Sequence, residues 1–244
     1  MSARAHRLAC TAWIVQVIAV ASVVAGSALA QVRVNLREHI RLEGTQLDLR
    51  GTAATDADLS AINALEYARV TAALVSGTQV GDGGLEYLAR LPLTQIDLGR
   101  TQVTDVGLGR LRELRLERLD LTGTQVTDAG LTHAKGWPLQ MLVLRETRIT
   151  GEGLASLAGL DLTVLDLSYT SVGDRSVAFL ERVKRIGTLD VSNTRITSEA
   201  VPHLERITGL LTLDVSGTAV GAEGVARLKR AHPRLTVLVA RPVR

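Results

Sequence analysis

Apolar side chains return along this chain in one fixed frame: Leu93, Ile96 and Leu98, then Leu116, Leu119 and Leu121, then Leu139, Leu142 and Leu144. A threonine follows each set, and a β-branched residue follows two positions later, as in Thr101-x-Val103, Thr124-x-Val126 and Thr147-x-Ile149. The same threonine recurs at Thr52, Thr78, Thr101, Thr124, Thr147, Thr170, Thr194 and Thr218, at spacings of 26, 23, 23, 23, 23, 24 and 24 residues. A period in the low twenties is the mark of a solenoid, in which each coil buries its apolar edge only against its neighbours.

One repeat shows how the coil is built. The alternation at Leu119 and Leu121 predicts a short strand with one side buried. Gly123 and Thr124 end it in a turn, and Val126 points back inward. Thr127 is a good helix N-cap, and Asp128 places a carboxylate in the first turn, where the helix dipole favours it. Leu131 and Ala134 then have the spacing of a helix packed on the strand layer. The pattern recurs as Thr104-Asp105 before Leu108 and Leu111, Thr150 before Leu154 and Leu157, and Thr197 before Val201 and Leu204. Gly81, Gly173 and Gly221 stand where the cap threonine is expected in three copies. Glycines at Gly84, Gly107, Gly130, Gly153 and Gly224 fall inside the first helical turn, where glycine costs about 1 kcal/mol relative to alanine. Their recurrence predicts crowding between adjacent coils. The ladder threonine is expected to turn its methyl inward and satisfy a backbone group with its hydroxyl at the strand-to-turn corner.

The string Leu-x-x-Leu-x-Leu-x-x-Thr-x-Val-Thr-Asp-x-Gly-Leu resembles the leucine-rich-repeat superfamily over residues 42–240. It is most similar to repeats of the ribonuclease-inhibitor-like or cysteine-containing type, with threonine where those place cysteine or asparagine. Similar threonine-type repeats are common in bacteria such as planctomycetes. The resemblance implies an α/β solenoid of about eight repeats: a right-handed curved array with a parallel sheet on its concave face and helices on its convex face. It implies protein–protein interaction as the usual role, and it carries over no catalytic residue. The ends depart from the pattern. The first copy has Gly44 and Ala54 at apolar places, and the second has Ala73 and Val75 for the strand leucines. The chain closes as Leu235-x-x-Leu238-x-Ala240, read as a last strand followed by Pro242 and no helix. The expected organisation is a leader over 1–30, an N-terminal cap over 31–43, repeats over 44–232 and a capping strand and tail over 233–244.

The leader reads as a secretory signal. Arg4, His6 and Arg7 form the basic start, Leu8 to Ala25 an apolar stretch, and Ala28-Leu29-Ala30 the small-x-small cleavage pattern before Gln31. An uncleaved membrane anchor is the alternative, since about 18 apolar residues is close to a spanning length. Cys10 is the only cysteine and lies in this segment, so the remainder carries no disulfide. The expected location is exported: periplasmic, cell-envelope or secreted.

Composition narrows the function. Aromatic residues are only 2%, which leaves Leu, Val, Ile and Ala to form the core and few rings for stacking on bases or sugars. Without Arg4 and Arg7, the chain after residue 30 holds 26 basic and 25 acidic residues, scattered rather than striped, so no nucleic-acid partner is expected. The run Arg110, Arg112, Arg115 and Arg118, interleaved with Glu113 and Glu117, reads as a solvated face, with an anionic partner as the alternative. His39, His133, His203 and His232 occupy unrelated repeat positions, and no metalloprotease, phosphate-loop or nucleophile-elbow motif occurs. No enzyme activity, cofactor or metal is expected.

Binding residues are expected among the strand positions that point away from the core. Four before the ladder threonine the column reads Asp48, Leu74, Asp97, Asp120, Val143, Asp166, Asp190 and Asp214. Two before, it reads Arg50, Ser76, Gly99, Thr122, Arg145, Ser168, Ser192 and Ser216. Asp97, Asp120, Arg145, Asp166, Ser168, Asp190, Ser192, Asp214 and Ser216 are the candidates for contact with a protein or peptide partner. The acids are read either as solvated and bonded to neighbouring Ser and Thr, or as a strip receiving Lys and Arg of a partner; a calcium site lacks a loop with enough oxygens. Trp137 is read as a contact residue or as the filler of the slot beside Ala134. The function expected is an exported binding module, with a structural or spacer protein of the envelope as the alternative; a membrane is met only through an uncleaved leader.

Overall fold

The computed structural model describes residues 34–41, 44–62 and 65–239, all within one compact unit, Arg33–Arg244. The leader expected over 1–30 lies outside the described residues.

A single sheet runs the length of the unit, its ten strands in chain order. They are β1 (Ile40–Arg41), β2 (Gln46–Asp48), β3 (Ala72–Leu74), β4 (Gln95–Asp97) and β5 (Arg118–Asp120), then β6 (Met141–Val143), β7 (Asp161–Asp166), β8 (Arg185–Asp190), β9 (Thr212–Asp214) and β10 (Thr236–Leu238). β1 pairs antiparallel with β2, and every later pair is parallel. The register aligns equivalent repeat positions without a slip, so that Leu47, Ala73, Ile96, Leu119, Leu142, Leu165, Leu189 and Leu213 form one buried row. A second row, from Leu49 to Val215, lies three before each ladder threonine, and a third, from Ala54 to Val220, lies two after it. Full burial of such a side chain stabilises by about 1.5–3 kcal/mol, which makes the stacked aliphatic rows the main source of stability.

Between strands the chain crosses the other side of the sheet in short helices: α1 (Asp56–Leu59), α2 (Asp82–Leu88), α3 (Asp105–Arg110), α4 (Asp128–Leu131), α5 (Asp174–Val177), α6 (Val201–Leu204) and α7 (Gly221–Ala231). Residues Glu152–Leu157 and Ala178–Arg182 are 3-10 turns instead. Only two inward positions three residues apart, such as Leu154 and Leu157, are asked of each crossing, and a three-per-turn helix meets that as well as an α-helix.

The eight ladder threonines stand in one file. Each hydroxyl donates to the carbonyl three residues earlier, from Thr52 to Leu49 through Thr218 to Val215, at 2.6–2.7 Å. In six of them the threonine N–H donates to the same carbonyl, so that oxygen is doubly occupied at the corner. The residue just before the threonine is left-handed in every repeat. Four are glycines, Gly51, Gly77, Gly123 and Gly217, and four are Arg100, Glu146, Tyr169 and Asn193 with φ of 54–58°. A left-handed non-glycine residue costs roughly 1–2 kcal/mol, so side chains kept at 100, 146 and 169 are retained against a local penalty.

Of the two readings of Trp137 the slot-filling one holds, and two other local expectations change. Trp137 is only 2% exposed and donates its Nε1–H to the Arg112 carbonyl at 3.3 Å, which makes it core rather than contact surface. At the C-terminal edge, Val237 and not Leu238 aligns with Leu213, and Leu238 aligns with Asp214 on the open face, 45% exposed. A one-residue slip in a strand exchanges its two faces, and parallel pairing to β9 sets the frame here rather than the leucine spacing. Gly221 is the first residue of α7, with Val220 at the cap position.

Candidate binding face

Two files of aspartates organise the unit, one on each side of the sheet. On the helical side, the aspartate that opens each of α1 to α5 reaches forward to the next coil. Asp82 accepts the N–H and hydroxyl of Thr104 at 2.8 and 2.7 Å, Asp105 those of Thr127 at 2.8 and 2.6 Å, and Asp174 those of Thr197 at 2.7 and 2.9 Å. The same threonine hydroxyls accept from Val106, Ala129 and Glu199, capping their own helices. Asp128 is the most heavily used, accepting from the Thr150 N–H and hydroxyl and from the Gly151 and Gly153 N–H groups at 2.5–3.0 Å. Burial raises its carboxyl, but these donors together outweigh that and hold it below the ordinary carboxylate value. The first-turn glycines of α2 to α4 are explained by the same contact, whereas at Gly224 the crowding comes from Val201 and Val220. A Cβ on Gly84 would stand 2.7 Å from the Asp56 carboxylate, and one on Gly107 or Gly130 would collide with Asp82 or Asp105.

On the open face of the sheet, β4 to β9 bring the acidic candidates into register: Asp97 beside Asp120, then Val143, then Asp166, Asp190 and Asp214 in succession. Here each carboxylate turns back on its own coil, and Asp97 also accepts the Ser76 hydroxyl of the preceding coil at 2.7 Å. Asp97 accepts the Gly99 N–H at 3.0 Å, Asp120 that of Thr122, Asp166 that of Ser168, Asp190 that of Ser192 and Asp214 that of Ser216, each at 2.8 Å. This Asx-type bond has a simple cause. The carbonyl of the preceding coil that would continue the ladder is already held by the ladder threonine, so the N–H at the strand end takes a carboxylate instead. Ser168 and Ser192 are buried, and the acids themselves are half-buried. Burial, with repulsion from neighbouring acids and against the bonds from residue 122 or 192, raises the carboxyls of Asp120 and Asp190.

Where Val143 interrupts the acids, the face changes character. Met141 is exposed and Val164 half-buried beside it. The Arg145 guanidinium lies 4.3 Å from the centre of the Tyr169 ring, donates to the Ser168 hydroxyl at 3.1 Å and pairs with Glu146 at 3.1 Å. Tyr169 is 49% exposed. Sequence reasoning selected Arg145 and Ser168 but not Met141, Val164 or Glu146; the neighbours become visible only when residues 23 apart are aligned by coil.

The remaining chemistry-bearing groups are dispersed. Arg110 pairs with Glu86 at 3.0 Å and Arg112 with Glu113 at 3.2 Å on the exposed surface. His203 and Arg206 share Glu181 at 2.5 and 3.3 Å, and those contacts hold the Glu181 carboxyl below its ordinary value. Among the described residues no group of three His, Cys, Asp or Glu is placed to hold a metal ion, and no helix is long and apolar enough to cross a membrane.

The family described as "Leucine Rich repeat" matches residues 116–132, which hold the strand, ladder threonine and first helical turn of one coil. No curated protein matches the chain in sequence. Among solved structures, an internalin (inlF) from Listeria monocytogenes aligns with a TM-score of 0.56 at 17% identity, over 73% of this chain and 50% of that one. TLR13, in complex with ssRNA13, aligns with a TM-score of 0.50 at 20% identity, over 70% of this chain and 25% of that one. The chain thus spans half or less of the length of these proteins, and at such identities the likeness is one of fold. A repeat match at 116–132, the same frame eight times over and a shared solenoid give this chain the leucine-rich-repeat fold.

Proposed function

We propose that this chain is an exported, non-enzymatic binding module that holds a protein or peptide on the open face of its sheet. The observation that supports this most is the Arg145–Tyr169 stack beside Met141 and Val164, where left-handed backbone is kept at Glu146 and Tyr169 although glycine serves in four other repeats. Aromatic and arginine side chains at the centre of a rigid face are the usual anchors of an interface. The other members of the face, Asp97, Asp120, Asp166, Asp190 and Asp214, would form its charged rim. A photo-crosslinking side chain at position 169 tests the reading, with position 106 on the helical side as control. A partner captured from the cell envelope at 169 and not at 106 is expected; equal capture at both sites removes the proposal. Export is tested separately by sequencing the N-terminus of the mature protein, expected to begin at Gln31.

The second reading, a passive spacer or envelope assembly protein, is favoured by the uniform Asp-x-Ser of repeats six to eight, whose polar groups are spent on the coil's own backbone. It predicts no capture from either position.

A further inference from the structure

Among the described residues, Asp97, Asp120, Asp166, Asp190 and Asp214 of the open face stand without counter-charges, in contrast to Asp48 of the same column, which pairs with Arg50 at 2.8 Å. Glu86, Glu181, Glu205, Asp161 and Glu66 each meet an arginine. Among the described residues no Lys or Arg lies within ion-pair distance of Asp97, Asp120, Asp166, Asp190 or Asp214. Arg145, the nearest cation in sequence to the gap in this file, is drawn aside by Tyr169, Ser168 and Glu146. Half-burial makes the deficit costly, because like charges on neighbouring strands repel more strongly as water is removed.

The file has an apolar break at its middle. Val143 lies between Asp120 and Asp166, which are two strand spacings or roughly 10 Å apart. Met141 and Val164 adjoin it, and Asp97 and Asp190 continue the acid beyond each end. The face therefore reads acid, apolar, acid along the sheet.

We infer that the partner presents an extended, cationic segment in which one apolar side chain seats over Met141 and Val143, flanked on both sides by Lys or Arg that reach Asp120 and Asp166. This rests on the binding reading above and names the chemistry of its ligand. Side chains on one face of an extended segment recur every second residue, about 6.8 Å, so basic residues two before and two after the apolar one have the reach to meet both carboxylates. Complementary charge of this kind fixes register and excludes anionic competitors such as RNA.

The test is selection of a random peptide library of about ten residues on the full chain, followed by titration of the winning synthetic peptide. Enrichment of an apolar residue bracketed by Lys or Arg is expected. Two variants then probe the geometry without removing the backbone acceptor. Asp120→Asn with Asp166→Asn keeps each Oδ1, and should weaken the peptide at least about tenfold and flatten its salt dependence. Val143→Asp installs the residue that most other coils carry there; it should weaken the same peptide about tenfold while leaving its salt dependence steep, with a modest fall in melting temperature from the added charge between Asp120 and Asp166 and an unchanged circular dichroism spectrum. Peptides enriched without basic residues, yet lost on Met141→Ser with Tyr169→Ala, overturn the cationic assignment and leave the binding reading standing. Enrichment equal on that face variant overturns both. A single-stranded RNA oligonucleotide that binds the wild-type chain and not the face variant overturns the cationic assignment as well.

Discussion

The two aspartate files use one side chain for opposite ends. On the helical side Asp82, Asp105, Asp128 and Asp174 each reach 22 or 23 residues ahead to fasten the next coil, and Asp128 gathers four donors. On the open face Asp120, Asp166, Asp190 and Asp214 reach only two residues ahead, each to one N–H and Asp120 also to the Thr122 hydroxyl, and their charge stays half-buried. A carboxylate surrounded by donors is stabilised as an anion, whereas one buried in a row of its own kind is penalised. The directions of the pKa shifts at Asp128, against Asp120 and Asp190, state this contrast. The first file joins coils; the second maintains a surface.

The comparison can be broken most directly at Asp128→Asn. The amide would present donors to groups that already donate, and a loss of about 3 kcal/mol is expected by chemical denaturation. The sign with pH follows from the lowered folded pKa. The stabilisation by Asp128 is complete above the unfolded carboxylate value and is lost as pH falls through the lower folded value, so the deficit of the variant should shrink only in strong acid. A loss as small as that of an exposed Asp would refute the coil-fastening role.

Gly107→Ala attacks the same file from the other partner. Alanine gains about 1 kcal/mol in helix propensity, yet its Cβ meets the Asp82 carboxylate and the Leu85 side chain. A net loss of about 2 kcal/mol is expected. Thr124→Val removes the hydroxyl bond to Leu121 but leaves that carbonyl its N–H donor from the same residue. The cost should therefore be about 1 kcal/mol rather than that of an orphaned carbonyl, read as a small fall in melting temperature.

The smallest effect, of opposite sign, is expected on the open face. Asp190→Asn keeps an oxygen for the Ser192 N–H and removes one charge from the row. Because the folded pKa of Asp190 is raised, wild-type stability declines as pH rises from the unfolded carboxylate value through the folded one. Asparagine should be neutral or stabilising by up to about 0.5 kcal/mol above that window and indistinguishable below it. A clear destabilisation at neutral pH would mean that the two files do the same work.

The coil itself was readable from the chain. Strand positions, the inward rows and the corner threonine all lie within one repeat, and their spacing specifies a strand of period two, a turn and a short helix. The crowding at Gly84, Gly107 and Gly130 was readable too, though not the identity of the group that causes it. The open-face caps left a local trace in Asp-x-Ser and Asp-x-Thr, a spacing at which a carboxylate reaches the N–H two residues on. The C-terminal strand misled, because Leu235 and Leu238 keep the leucine spacing while β10 takes its frame from β9.

By itself, the amino-acid sequence determined the period, the parallel coil and the aliphatic core, because each depends on contacts between equivalent positions that periodicity repeats. Only the tertiary structure decided which aspartates fasten coils and which face outward, why alanine is refused in the first turn, and that Met141, Val164, Arg145 and Tyr169 form one patch. Those outcomes depend on side-chain direction and on stacking of coils within a few ångströms, and a spacing of 22 or 23 residues acquires that meaning only after the chain has closed each turn upon the last.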